Sequence, residues 1–300
     1  MHVKPGTIVV GVDGSPHAMR ALQWAIKQAV AERRSLTLVH TIHAVTPAFL
    51  DAAIVDAGDA RSAFDTAGQA VLSEARTKVE WTAPELEVHE VFDLADPRAV
   101  LLSLSEHAAM VVVGSRGRGQ LRSMLLGSVS VFLARHAHCP VVVVRPFNAG
   151  TVRHGVLVGV DTAPESRPVI EFAYRQASLR GLPLALLDCV WDLQAGTMGA
   201  YLVPESQSPT DLEDERVALA EVVAGMGEKY PDVHVTTTLA RGLPQQALVD
   251  LGARMDLVVV GAHQWSRITQ ALLGSVSVAV VEHAEVPVAV VPVSSSRPRG

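Results

Sequence analysis

Aromatic side chains make up only 4% of the 300 residues and there are just 2 cysteines, so neither aromatic clusters nor a disulfide framework can hold this chain together. No uninterrupted apolar run nears the ~18 residues that a membrane span requires, and MHVKPG leads into a strand with no apolar signal segment; the expectation is a cytoplasmic protein with no membrane partner. Positive charge is also short. The 25 Lys and Arg face 31 Asp and Glu for a formal net charge of −6, which argues against an electrostatic grip on nucleic acid. Any anion must be held by local geometry. Gly-Lys-Ser/Thr occurs nowhere, which excludes the P-loop, and Gly117-Arg118-Gly119 lacks the third glycine of the dinucleotide fingerprint.

What is present is aliphatic: hydrophobic residues are 49% of a chain long enough for two domains of about 150 residues each. Residues 7–12 read as a strand, Gly14-Ser15-Pro16 as turn, N-cap and first helical position, and Leu22, Ile26, Ala29 and Val30 as the buried stripe of the helix that follows. Strands are expected at 36–42, 86–92, 110–113 and 140–145, and helices through about Trp81, over 97–107 and over 128–138. Residues 43–60, with Pro47 and Gly58, read as a long loop or flap. This β-α alternation predicts an α/β doubly wound parallel sheet of five strands.

The pattern then restarts. VVGVDGSP at 9–16 returns as LVGVDTAP at 157–164, LTLVH at 36–40 as LALLD at 184–188, MVVVG at 110–114 as LVVVG at 257–261, and LLGSVSV at 125–131 unchanged at 272–278. The chain is a tandem duplication, with domains expected at 1–146 and 155–293, a linker at 147–154 and a tail at 294–300. The second flap, 192–215, is longer and more acidic than the first.

In each repeat the strand at 110–114 or 257–261 runs into a glycine-spaced loop. In the first it reads Gly114, two residues, Gly117, nine residues, Gly127, then Ser128, Val129 and Ser130. Glycines leave backbone N–H groups approachable, and a helix start at Ser128, which would cap it, adds partial positive charge; the combination suits phosphate. It also suits a loop that merely closes the fold. Asp13 reads either as a turn residue or as a ligand contact, and Arg116, Arg118 and Arg122 either neutralise phosphate or are solvated. Cys139 and Cys189 read as buried thiols, His136 and His138 as helix-end residues rather than metal ligands, and Trp24, Trp81, Trp191 and Trp265 as core or rim.

The glycine spacing and the duplication resemble the universal stress protein family, specifically its ATP-binding members, over nearly the full length of both halves. The resemblance implies a Rossmann-like, adenine nucleotide alpha hydrolase-like fold in each half and an adenine nucleotide, ATP with Mg2+, bound beyond the carboxyl ends of the strands. The implied contacts in the first half are Gly11, Val12 and Asp13 after the first strand, Thr41 after the second, and Gly114, Arg116, Gly117, Gly127, Ser128, Val129 and Ser130 at the loop and helix start. In the second half they are Gly159, Val160, Asp161, Cys189, Gly261, Gly274, Ser275, Val276 and Ser277. There Gln264 stands in the place of Gly117, and Ser115-Arg116-Gly117-Arg118 becomes Ala262-His263-Gln264-Trp265. A Cβ at that place restricts positive φ and narrows the approach, so the first site is expected to be the tighter. The function this implies is a nucleotide-dependent stress-response regulator, with a homodimer and an unidentified protein partner. The strands at 140–145 and 287–293 are expected to pair with each other. Two alternatives stand beside it: a slow ATPase or phosphotransfer enzyme, for which no base is placed beside a γ-phosphate, and a nucleotide-independent interaction scaffold.

Overall fold

A computed structural model describes residues 3–42, 57–117, 126–146, 154–161, 163–191, 201–203, 213–262 and 276–293. The chain divides into two units, Met1–Val144 and Arg145–Gly300. The expected linker, apart from His154, the expected tail and both flaps lie largely outside the described residues.

The first unit carries β1 (Ile8–Gly11), α1 (Pro16–Glu32), β2 (Leu36–Thr41), α2 (Ala57–Thr82), β3 (Val88–Asp93), α3 (Pro97–Ser105), β4 (Met110–Gly114), α4 (Ser128–His136) and β5 (Val141–Val144). Its strands lie in the order β3-β2-β1-β4-β5, and each neighbouring pair is parallel, with Ile8 opposite both Leu36 and Met110. The β-branched runs are the reason: Ile8, Val9 and Val10, and Met110, Val111 and Val112, are fully buried, as strands covered on both faces must be. α1 touches α2 and α3 touches α4, the pairing expected where right-handed crossovers place one pair of helices on each face of such a sheet. α1 buries Ala18, Ala21, Leu22, Ala25, Ile26, Gln28 and Ala29. Val30, expected on that stripe, is instead 53% exposed, because the inward face at this end of the helix is filled by Ala29 and Ile26. Trp81 is 86% exposed near the end of α2, neither core nor rim.

The second unit repeats the scaffold with β6 (Val156–Val160), α5 (Arg167–Arg180), β7 (Leu184–Trp191), β8 (Tyr201–Val203), α6 (Glu213–Val222), α7 (Met226–Lys229), β9 (Val235–Gly242), α8 (Pro244–Gly252), β10 (Leu257–Ala262), α9 (Val276–His283) and β11 (Val288–Pro292). Its order is β11-β10-β6-β7-β9-β8. Five of these strands are parallel as expected; the sixth, β8, comes from the acidic flap and lies antiparallel on β9, with Tyr201 opposite Arg241. Three residues are too short for an alternating pattern to announce itself in the sequence. The same parallel scaffold is thus present twice, and among the described residues the added edge is found in the second copy.

In both units the chain reverses direction across the sheet between the first and fourth strands of the repeat, β1 and β4 in the first unit and β6 and β10 in the second. The crevice outside the carboxyl ends at that switch is where open parallel sheets take ligands.

Candidate functional site

Two segments meet at the β1/β4 switch of the first unit. The first is the turn from β1 into α1. Gly14 takes φ of 75°, a left-handed turn position, and Ser15 serves as N-cap, its hydroxyl accepting from the Ala18 N–H at 3.1 Å ahead of Pro16 at the first helical position. The Asp13 carboxylate accepts the Ser15 N–H at 2.9 Å, which is the turn role expected of it, and its other oxygen lies beside Gly117. A Cβ built on Gly117 would come 2.6 Å from Asp13 Oδ2. Gly117 is not in the left-handed region, so a positive φ is not the reason for glycine here. The reason is the carboxylate pressed against it.

The second segment is the loop from β4 to α4, described at its two ends. At Gly114 a Cβ would meet the His17 carbonyl carbon at 2.7 Å and its oxygen at 2.8 Å, so its missing side chain admits the first turn of α1. At Gly127 the opposite holds. Its φ is −74°, and an added Cβ would meet protein atoms no nearer than 3.5 Å, so no internal crowding demands glycine. Gly127, rather than Ser128, is the N-cap of α4, and no side chain caps the helix. Ser128 falls one residue inside, exposed, where its hydroxyl is past the capping position. The N–H groups of Ser128, Val129 and Ser130 therefore head the helix without intrahelical acceptors, the arrangement that draws anions.

The loop is closed at its root. The Gly127 N–H donates to the Ser115 carbonyl at 2.8 Å, the Ser115 N–H donates to the Val144 carbonyl at 3.0 Å, and the Ser130 hydroxyl donates to the Gly114 carbonyl at 2.9 Å. That last bond ties β4 to α4. Ser115 is buried, and its hydroxyl lies 3.2 Å from His17 Nδ1. Arg116 and Gly117 are exposed; Arg118 and Arg122 lie outside the described residues.

Gly11 ends β1 and Val12 is buried beyond it, its N–H on the Val39 carbonyl at 2.8 Å. Thr41, the last residue of β2, pairs with Asp93, one strand further from the loop. The buried His40 beside it places Nδ1 2.7 Å from the Val12 carbonyl, and since a carbonyl only accepts, Nδ1 carries the proton. Its ring stacks on Phe92 at 6.1 Å, and Phe92 in turn packs where Gly68 of α2 has no side chain.

In the second unit Gly159 lies in β6, Val160 ends it buried and Asp161 follows. The Asp161 carboxylate accepts the Ala163 N–H at 3.3 Å and also the Ser166 hydroxyl. Cys189 is the sixth residue of β7, opposite Ala240; burial pushes its thiol up to about 11, with the Asp188 charge adding to the rise. Gly261 lies near the end of β10, Val276 is exposed at the start of α9 and Ser277 is buried behind it. Gly274, Ser275 and Gln264 lie outside the described residues. Sequence reading passed over His17, His40 and Ser115. The duplication held a signal for the first and last, since both change together between repeats, to Glu165 and Ala262.

Elsewhere, Cys139 is buried, its thiol pushed up to about 12. His136 Nδ1 turns to the Phe132 carbonyl and His138 Nδ1 to Ser105 Oγ. No helix among the described residues is long and apolar enough to cross a membrane.

Comparison with known proteins gives a consistent answer. The model of the Universal stress protein family matches residues 5–145 and again 153–292. A universal stress protein of Mycobacterium tuberculosis strain H37Rv is 34% identical over 288 residues, covering 94% of this chain and 96% of that one. One from Mycolicibacterium smegmatis is 35% identical over 295 residues, covering 95% and 96%. Among solved structures, a universal stress protein from Archaeoglobus fulgidus superposes with a TM-score of 0.71 over 97% of both chains at 20% identity, a likeness of fold.

Proposed function

Because this chain belongs to the universal stress protein family, in both halves and over nearly its whole length, we propose that its N-terminal repeat binds an adenine nucleotide, ATP with Mg2+, and that binding sets the state in which the protein serves the stress response. The observation that carries this reading is the start of α4, which no side chain caps and where Ser128 is exposed, together with the Asp13 carboxylate lying against Gly117 at the β4 end of the same loop, at the sheet's switch point. The residues present suit such a ligand. The amides of Ser128, Val129 and Ser130 would receive the anionic tail. Asp13 would accept from a ribose hydroxyl or from water on the metal ion. The backbone at Val12, one strand spacing from the loop strand, and at Thr41, two spacings or about 10 Å from it, would border the base.

The second repeat supports weaker occupancy or none. Its Asp161 is engaged by Ser166 and Ala163, and Gln264 brings a side chain to the place of Gly117. The reading is therefore one nucleotide per chain, in a cytoplasmic protein of two domains, 1–146 and 155–293, that pairs with a second copy and presents its nucleotide-bound surface to a protein partner.

Native mass spectrometry of the purified protein, followed by calorimetric titration with Mg-ATP, tests this directly. The expected result is one adenine nucleotide per chain, lost in Gly127→Glu. A wild-type chain that takes up no nucleotide, or a Gly127→Glu variant that binds as well as wild type, overturns the proposal. Retention of binding together with many turnovers per minute would move the protein into the enzyme class.

A further inference from the structure

Asp13 and the amides of α4 belong to different segments of chain, so a site built from both works only if the β1–α1 turn and the β4–α4 loop keep a fixed spacing. Backbone contact supplies part of that. The His17 carbonyl sits where a Gly114 side chain would be. A side-chain bridge supplies the rest, since His17, on the first turn of α1, meets Ser115, the residue in which the loop is rooted. Ser115 works in three directions. Its N–H holds the β5 edge through Val144, its carbonyl holds the N-cap Gly127, and its buried hydroxyl meets His17 Nδ1.

We propose that His17 and Ser115 form a latch that sets the distance between Asp13 and the α4 amides, making both of them positioning residues of the nucleotide site. The proposal rests on the function inferred above for that site and adds residues that never touch the ligand. The latch belongs to the first repeat alone, because Glu165 and Ala262 stand in the two places in the second, and alanine has no hydroxyl to offer. With the two ends of the loop latched, the spacing between Asp13 and the α4 amides is set before the nucleotide arrives, so binding need not spend interaction energy on fixing it.

The chemistry of the contact makes it separable from simple packing. An asparagine places an amide atom near the position of Nδ1 and can meet the Ser115 hydroxyl, whereas leucine fills the space without a polar atom. We expect His17→Ala, His17→Leu and Ser115→Ala each to weaken Mg-ATP binding about tenfold, the worth of one hydrogen bond to a buried group. His17→Asn should stay within about twofold, and the His17→Ala/Ser115→Ala double variant should lose no more than either single one. Hydrogen exchange of the Ser115 and Gly127 amides, measured without nucleotide, should accelerate in the alanine and leucine variants and stay as in the wild type in His17→Asn. Additive losses, wild-type behaviour in His17→Leu, or unchanged exchange in Ser115→Ala would overturn the latch. A wild-type chain that binds no nucleotide would instead remove the functional reading, and the exchange comparison then decides the latch by itself: acceleration upholds it and its absence ends it.

Discussion

The two repeats share their buried strands and differ in how their helices begin, and that difference shows where a duplicated domain is free to diverge. In the first, Asp13-Gly14-Ser15-Pro16 makes a left-handed turn and a capped helix start. In the second, Asp161-Thr162-Ala163-Pro164 has lost the capping hydroxyl, a 3-10 turn fills Pro164–Ser166, and α5 starts only at Arg167 without a side-chain cap. Both carboxylates accept the N–H two residues on, and the Asp161 carboxylate takes the Ser166 hydroxyl as well, where the Asp13 carboxylate lies against Gly117. Further along, the buried His40 that donates to Val12 becomes the buried Asp188, a carboxylate where there had been a donor. Strand cores tolerate little, since every side chain there is packed on both faces. The edge that makes a site is built from caps and turns, and there the turn after the first strand has changed while Gly127-Ser128-Val129-Ser130 recurs as Gly274-Ser275-Val276-Ser277.

The largest expected effect separates the repeats outright. Gly127→Glu should reduce nucleotide binding at least 100-fold, by placing a carboxylate at the helix start proposed to receive the anion, while Gly274→Glu should leave both affinity and the proposed one-per-chain stoichiometry unchanged; calorimetric titration reads both. A lost nucleotide in Gly274→Glu would erase the asymmetry. Next in size is Gly114→Ala. Its Cβ would meet α1 backbone at 2.7 Å, which no side-chain rotation relieves, so the first repeat should lose about 1–3 kcal/mol in denaturant unfolding. Gly127→Ala, with contacts no nearer than 3.5 Å, should cost little stability. The pair tests whether one glycine serves packing and the other the ligand.

That distinction was not legible in the sequence. Glycine spacing marked Gly114, Gly117 and Gly127 as one class, because spacing reports that a side chain is missing but not what occupies the room. Gly114 admits a helix, Gly117 a carboxylate, and Gly127 no protein atom closer than ordinary contact. The scaffold, by contrast, was readable from the valine runs at 110–113 and 141–144 and the Ser15-Pro16 start, since burial on both faces and capping act locally. β8 and the Ser115 hub were not, because a three-residue edge strand and a contact between residues 17 and 115 depend on the finished fold.

Exchanging the caps sharpens the comparison on a smaller scale. Ser15→Ala should destabilise the chain by about 1 kcal/mol, as removal of an N-cap hydroxyl generally does. Ala163→Ser should recover part of such an amount in the second repeat and release Ser166 from Asp161. Thermal unfolding of each variant measures the first effect, and nucleotide stoichiometry shows whether freeing Asp161 is enough to open the second site. A stabilised Ala163→Ser chain that still binds one nucleotide would assign the remaining block to Gln264.

The smallest effect concerns the two thiols. Burial raises Cys139 to about 12 and Cys189 to about 11, so both are neutral at pH 8, and Cys189, the less shifted of the two, is the first to ionise as pH rises. Iodoacetamide should therefore modify Cys189 first, at a rate rising about tenfold per pH unit up to its own pKa. The same shifts fix the sign of the stability change. Each thiol keeps its proton in the native state above the ordinary value of 9.0, where the unfolded chain releases it, so this contribution is whole below that pH and is lost as pH rises toward 11 and 12. Faster modification of Cys139 would mean that the turn between α4 and β5 opens more readily than the strand holding Cys189. Because Cys189 stands in the place of Thr41, its rate also reports on the second repeat: saturating Mg-ATP should leave it unchanged, and a slowing would put a nucleotide where Asp161 and Gln264 argue against one.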